Sequence, residues 1–196
     1  MIAKHRIVSS EDEELILVDR DDNEVGYLSK ALCHNGAGVL HRAFSLFLFD
    51  DSGRLLLQQR GEGKRLWPGY WSNSCCSHPR RGESMETATT RRLIDELNVE
   101  ASLEHVYSFC YTAEYGEAGS ENELCHVYLG KVSSDIQPND SEIASVRFVA
   151  ANALDAELTQ SPERFTPWFK QEWGELSENH RERLAVYLGS AQAMNL

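Results

Sequence analysis

The stretch Trp67-Pro-Gly-Tyr-Trp-Ser-Asn-Ser-Cys-Cys-Ser-His-Pro79 runs on through Glu83 to Arg91-Arg92-Leu93-Ile94-Asp95-Glu96-Leu97-Asn98. In an extended segment, residues i and i+2 point to the same side. Cys76 and His78 therefore face one site, and Cys75 faces the opposite way. A helix is expected from about Ser84 to Leu97, with Ser84 as N-cap and Asn98 in the left-handed position past its end. A thiol, an imidazole and helix carboxylates brought to one place indicate a metal-assisted active site rather than a core.

Around this unit the chain reads as strands. Residues 14–18 and 24–28 form an opening hairpin across Asp19-Arg-Asp-Asp-Asn23. Residues 42–50 form a buried strand, Asp50-Asp-Ser-Gly53 a turn, and Arg54 to Arg60 the returning strand. Residues 104–112, 122–131 and 143–149 are further strands. The tail is helical, with Glu178 to Ala193 the clearest segment. Strands around one central helix, then more helices, give an α/β fold: a single sandwich with a mixed sheet.

The 196 residues suffice for one domain with a substantial core, and 41% hydrophobic with 26% charged residues is ordinary for a soluble protein. No apolar run approaches the ~20 residues of a membrane span. The start, Met-Ile-Ala-Lys-His-Arg-Ile-Val, reads as no signal peptide. Five cysteines, odd in number and without repeated Cys-x-x-Cys spacing, argue against a disulfide framework and for a reducing cytoplasm. The net charge of -12 argues against a general nucleic-acid binder. Residues 54–92 nevertheless hold eight basic residues against three acidic ones, a local excess of five. That excess is either a solvated basic face or a pocket for a small polyanion such as a diphosphate.

Glu121 and Glu123 flank Asn122 and share a side, as Cys76 and His78 do. With His34, His41 and His78 they offer three nitrogens and two oxygens, a set that suits manganese, magnesium or zinc. Spacing alone leaves open that these are surface histidines and solvated glutamates. It equally leaves open that the helix is amphipathic with exposed ion pairs.

The ordered run Trp67-Pro-Gly-x-Trp71-x-Asn73-Ser74-x-Cys76-x-His78-Pro79, then Gly82-Glu83 and Arg91-Arg92, resembles the type I isopentenyl-diphosphate isomerase family of the Nudix superfamily. The resemblance extends from about Lys30 to Trp168. It takes in His34, His41, Arg60, Lys64, the Glu121-Asn122-Glu123 triplet with Cys125, and Thr166-Pro167-Trp168. It implies a single Nudix-type α/β/α sandwich over residues 1–196, with a core of about 30–170 and the N-terminal hairpin and C-terminal helix packed on it. The implied reaction interconverts isopentenyl and dimethylallyl diphosphate by adding a proton to the alkene and removing another from C2, through a tertiary carbocation.

The family's roles fall on particular positions. Cys76 matches the residue that removes or returns the C2 proton, as a thiolate favoured by nearby positive charge. Glu123 matches the acid, Tyr111 the tyrosine bonded to it, and Trp168 the ring that stabilises the cation. His34, His41, His78, Glu121 and Glu123 match the ligands of a Mn²⁺, Zn²⁺ or Mg²⁺ site. Glu96, with the Cys76 carbonyl, matches the ligand of a Mg²⁺ that enters with the substrate. Lys30, Arg60, Lys64 and Arg92 match the diphosphate-binding positions. The implied partner is a small isoprenoid diphosphate, with no organic cofactor, nucleic acid or membrane, and with a monomer or weak homodimer as the assembly. Cys33, Cys110 and Cys125 are core or surface residues, Cys110 facing away from Tyr111.

Against the Nudix hydrolase pattern Gly-x5-Glu-x7-Arg-Glu-U-x-Glu-Glu-x-Gly-U, Ser77 stands for the first Gly, Arg92 for the second Glu and Asn98 for the last Gly. Arg92 in place of a metal-binding Glu disfavours hydrolysis and favours holding the diphosphate intact. Ser77 implies strain if its φ must be positive. The rival readings are a nucleotide diphosphate hydrolase and a non-enzymatic metal-binding or interaction domain.

Overall fold

The computed structural model describes residues 6–133 and 135–189. Its axis is strand β3 (His41–Phe49), whose residues are almost all buried because both faces of the sheet are covered. Phe44, Leu46 and Leu48 pack with Ala88, Leu93 and Leu97 of the central helix. Ala43, Phe47 and Phe49 pack on the other face with Leu154, Phe169, Trp173 and Leu176. Strand alternation thus feeds two cores from one run, and the result is an α/β/α sandwich. Phe44 and Phe47 are fully buried. Truncating either to alanine costs about 3–5 kcal/mol.

The elements before β3 are β1 (Glu14–Val18), β2 (Glu24–Ser29) and the short helix α1 (Lys30–Cys33). After it come β4 (Leu55–Arg60), β5 (Trp71–Ser72), β6 (Cys75–Ser77) and the central helix α2 (Met85–Leu97). Then follow β7 (Leu103–Glu114), β8 (Ser120–Lys131), β9 (Ile143–Val149), and helices α3 (Ala151–Gln160), α4 (Pro167–Asn179) and α5 (Arg181–Ala185). The sheet is mixed. β8 runs parallel along one edge of β3, from His41 opposite Glu123 to Phe49 opposite Lys131. The other edge of β3 is met in turn by β1, β6 and β4, all antiparallel. β7 pairs with β8, and β9 and β5 pair with β4.

This register builds one end of the sheet into a site. β3 and β8 start side by side, so His41 and Glu123 are neighbours. β6 runs the opposite way with Ser77 level with Phe44, and the chain beyond it carries His78 toward His41.

Helix α2 is capped as its sequence requires. Ser84 Oγ accepts from the Thr87 amide at 3.1 Å, and Asn98 sits in the left-handed region at φ 55°, ψ 43°. Ser77 lies in β6 and is absent from the positive-φ residues, so the condition for strain there is not met. The helix expected over residues 178–193 is corrected. Helix α4 ends at Asn179, and His180 leaves the helical region at φ -122°, ψ 26°. Its ring stacks on Tyr107 at 4.8 Å, a tertiary contact that overrides local propensity. Only α5 follows, and residues 190–193 lie outside the described part.

Candidate active site

Five side chains from four segments converge. His34 follows α1, His41 opens β3, His78 follows β6, and Glu121 and Glu123 sit two apart on β8. One ligand atom from each lies within 4.8 Å of all the others. The three imidazole centroids are 4.8 to 5.3 Å apart.

Backbone carbonyls fix the orientation of two rings. His34 Nδ1 donates to the Lys30 carbonyl and His41 Nδ1 to the Val39 carbonyl, each at 2.7 Å. A carbonyl only accepts, so the proton is on Nδ1 and each Nε2 lone pair faces the cluster. His41 Nε2 is buried without a hydrogen-bond partner among the described residues, and so is Glu121 Oε2. Glu121 Oε2 is nevertheless 2.9 Å from His34 Nε2. Buried, unpaired donor atoms crowded at this distance are what a divalent cation would satisfy. Burial, with the neighbouring rings of His41 and His34, holds the His78 imidazole well below its usual pKa, toward the neutral form. Burial also pushes His34 down, but the charge of Glu121 outweighs it and raises the ring.

Glu123 serves two neighbours. Its Oε1 is 2.8 Å from His78 Nε2, and its Oε2 accepts from the Tyr111 hydroxyl at 2.6 Å. Burial raises the Glu123 carboxyl, but His41 and Tyr111 outweigh it and hold the group below the usual glutamate value. Burial and the charge of Glu123 keep the Tyr111 phenol protonated.

A cavity of about 240 Å³ opens over the cluster. It is smaller than the ~300–1,000 Å³ of sites for drug-sized ligands, which fits a small substrate. Cys76, Glu123, Tyr111 and Trp168 line it, and so do Lys30, Arg60, Lys64 and Arg92. Cys75 points to the other face, fully buried against α2, as alternation requires. Cys110 is exposed, and all five cysteines are free. Burial pushes the Cys76 thiol up to about 12, with Arg60 opposing.

The cationic wall is partly neutralised. Arg92 is 2% exposed and pairs with Glu96, and its Nη2 is 3.3 Å from Glu142. Glu142 also pairs with Lys64. Desolvation and the charge of Lys64 lower the Lys30 pKa. Arg60 donates to the carbonyls of Leu66 and Trp67 and lies 5.2 Å from the Trp168 ring centroid. Glu96 stands apart from the five-residue cluster. It lies behind Arg92, where its Oε1 accepts from Arg92 Nε at 2.8 Å and from the Cys75 thiol at 3.4 Å.

Glu83, the first acid of the Nudix pattern, is taken by Arg91 at 2.7 and 2.8 Å and by the Arg80 amide. Glu142, Ser141 and Ser9 line the cavity without having been singled out in the sequence. The first two sit in a polar loop that no spacing rule connects to Lys64.

The fold and this site define a Nudix-class protein with a histidine-rich cluster that could hold a metal ion. The NUDIX domain model matches residues 39–169. An isopentenyl-diphosphate Delta-isomerase of Serratia proteamaculans (strain 568) is 45% identical over 174 residues, covering 89% of this chain and 97% of its own. The isopentenyl-diphosphate Delta-isomerase 1 of Photorhabdus laumondii is 38% identical, covering 88% and 99%. The chain belongs to the isopentenyl-diphosphate Delta-isomerase family of NUDIX proteins. The solved structure of DR0079 from Deinococcus radiodurans is similar in fold, with a TM-score of 0.62, 24% identity, and coverage of 76% and 90%. The NUDIX domain of Shewanella oneidensis NrtR, solved with ADP ribose, has a TM-score of 0.55, 20% identity, and coverage of 81% and 94%.

Proposed function

We propose that the protein interconverts isopentenyl diphosphate and dimethylallyl diphosphate and thereby supplies isoprenoid biosynthesis. The observation that carries this reading is that Cys76 and the Tyr111–Glu123 pair line one small cavity whose adjoining wall holds four cations. Lys30, Arg60, Lys64 and Arg92 bind the diphosphate and leave the five-carbon chain between thiol and acid. The Glu123–Tyr111 pair gives a proton to the terminal alkene carbon, and positive charge develops at the tertiary C3. Cys76 takes a proton from C2, and the C2–H electron pair becomes the new double bond. The thiol is the form that returns this proton in the reverse direction, and Arg60 favours the thiolate that removes it. Trp168 turns its ring toward the cavity, where it already lies beside the Arg60 cation. A desolvated cation–π contact is worth ~2 kcal/mol.

A Mn²⁺, Zn²⁺ or Mg²⁺ at His34, His41, His78, Glu121 and Glu123 would supply fixed positive charge beside the acid, and a Mg²⁺ entering with the substrate at Glu96, which now pairs with Arg92, and the Cys76 carbonyl would neutralise the diphosphate. We read residues 1–196 as one domain acting in the cytoplasm as a monomer or weak homodimer. A net charge of -12 fits the absence of a nucleic-acid partner, and no described helix is long and apolar enough to cross a membrane.

The test is incubation with Mg²⁺ and isopentenyl diphosphate, following products by NMR and phosphate by colorimetry. Dimethylallyl diphosphate without phosphate supports the reading. Phosphate without isomer would identify a hydrolase instead.

A further inference from the structure

Ser72 lies behind Cys76, fully buried, in β5. Its hydroxyl has three neighbours: Cys76 Sγ at 3.8 Å, Thr166 Oγ1 at 3.0 Å and Asn73 Oδ1 at 2.9 Å. A serine hydroxyl donates once and accepts twice, so their roles can be worked out. Asn73 Nδ2 donates to the carbonyls of Cys75 and Leu46, at 2.9 and 3.3 Å. Its Oδ1 is therefore the atom turned to Ser72, and it can only accept.

Thr166 shows what its own hydroxyl is for. It is the N-cap of α4, where a threonine side chain ordinarily caps the helix, yet it makes no capping hydrogen bond. Fully buried, it reaches Ser72 instead. Its backbone is fixed by donation to the Trp71 carbonyl at 3.0 Å. The hydroxyl pair thus joins the strand before Cys76 to the helix that carries Trp168.

We infer that Ser72, backed by Thr166, is a positioning residue that holds the Cys76 sulfur through both halves of the proton transfer. With sulfur protonated, the thiol donates to Ser72 Oγ, Thr166 donates to the second lone pair, and Ser72 donates to Asn73 Oδ1. When sulfur gives up its proton it can only accept. Ser72 then turns its one hydrogen from Asn73 to sulfur, while Thr166 keeps donating. The hydroxyl rotates, no proton leaves Ser72, and the sulfur keeps a partner in both states. This inference rests on the isomerase reading and on Cys76 acting at C2.

The experiment uses the metal-loaded full chain with isopentenyl diphosphate, unlabelled or deuterated at C2, for wild type, Ser72→Ala and Ser72→Thr. The expected result for Ser72→Ala is a kcat roughly 10–100-fold lower, less than the ~10²–10⁴-fold that a general acid or base itself contributes. Its KM stays within about twofold, and its C2 deuterium isotope effect is larger than wild type. Ser72→Thr restores kcat. Full activity in Ser72→Ala overturns the inference, as does a loss without change in the isotope effect or without rescue by threonine. Equal melting temperatures across the three proteins separate these outcomes from misfolding. If wild type itself forms no isomer, the underlying functional reading fails instead.

Discussion

The Tyr111 hydroxyl donates to Glu123 Oε2 at 2.6 Å while the other oxygen of Glu123 faces His78 at 2.8 Å. One carboxylate thus joins the three-histidine cluster to Tyr111. Tyr111→Phe removes one hydrogen bond and leaves the histidines untouched. Its kcat falls on the order of 10–100-fold while metal content is unchanged, which steady-state kinetics and elemental analysis of the same sample check. A parallel loss of metal would place Tyr111 with the ligands instead.

The two adjacent cysteines are separated by the sheet itself. Cys76→Ala lowers turnover by about 10³–10⁴-fold. Cys75→Ala retains most of it, because its side chain packs under α2 on the opposite face. The reverse pattern in the same isomerase assay would mean that the other cysteine does the chemistry.

His41 is fully buried, and its Nε2 makes no hydrogen bond among the described residues, lying 3.6 Å from Glu123 Oε1. His41→Ala removes a ligand from the floor of the cluster. Purified in the presence of Mn²⁺ and dialysed, the variant loses the stoichiometric ion that wild type keeps. Chelator treatment lowers the melting temperature of wild type but not of the variant, since a ligand that binds only the folded state stabilises it.

Two pairs in this site were legible in the sequence from period-two alternation, while the full five-residue set was read from the family resemblance. Cys76 with His78, and Glu121 with Glu123, share faces as their spacing requires, and the register of β3 with β8 and β6 brings the pairs together. Ser84 and Asn98 marked the ends of α2 for local reasons of capping. The position of Glu96 behind Arg92 was not legible, because it depends on a buried ion pair and not on helix periodicity. Glu142 reaches Lys64 across 78 residues through a loop contact. The end of α4 at Asn179 follows from a tertiary stack of His180 on Tyr107.

Glu172, which is not one of the five clustered residues but feels the charge of Glu123, supplies a pH test. It is fully buried, its Oε1 accepts from the Cys125 thiol at 3.5 Å, and its Oε2 has no hydrogen-bond partner among the described residues. Burial pushes its pKa up from 4.5 to about 8. Below pH 4.5 the acid is protonated whether folded or unfolded, and it costs nothing. Between 4.5 and about 8 the unfolded chain releases the proton and the folded one keeps it, so stability falls as pH rises. The slope is at most about 1.4 kcal/mol per pH unit. Glu172→Gln removes this penalty. Its stability advantage over wild type therefore grows with pH across that window and levels off above it, as urea melts at several pH values would show. An advantage independent of pH would contradict the assignment.

The central claim is proton exchange on an intact diphosphate, and deuterium incorporation measures it directly. In D₂O with Mg²⁺ and isopentenyl diphosphate, the account predicts dimethylallyl diphosphate carrying deuterium in the methyl group formed from the terminal alkene carbon, with no phosphate released. Inorganic phosphate with no isomer, or isomer free of deuterium, would contradict it.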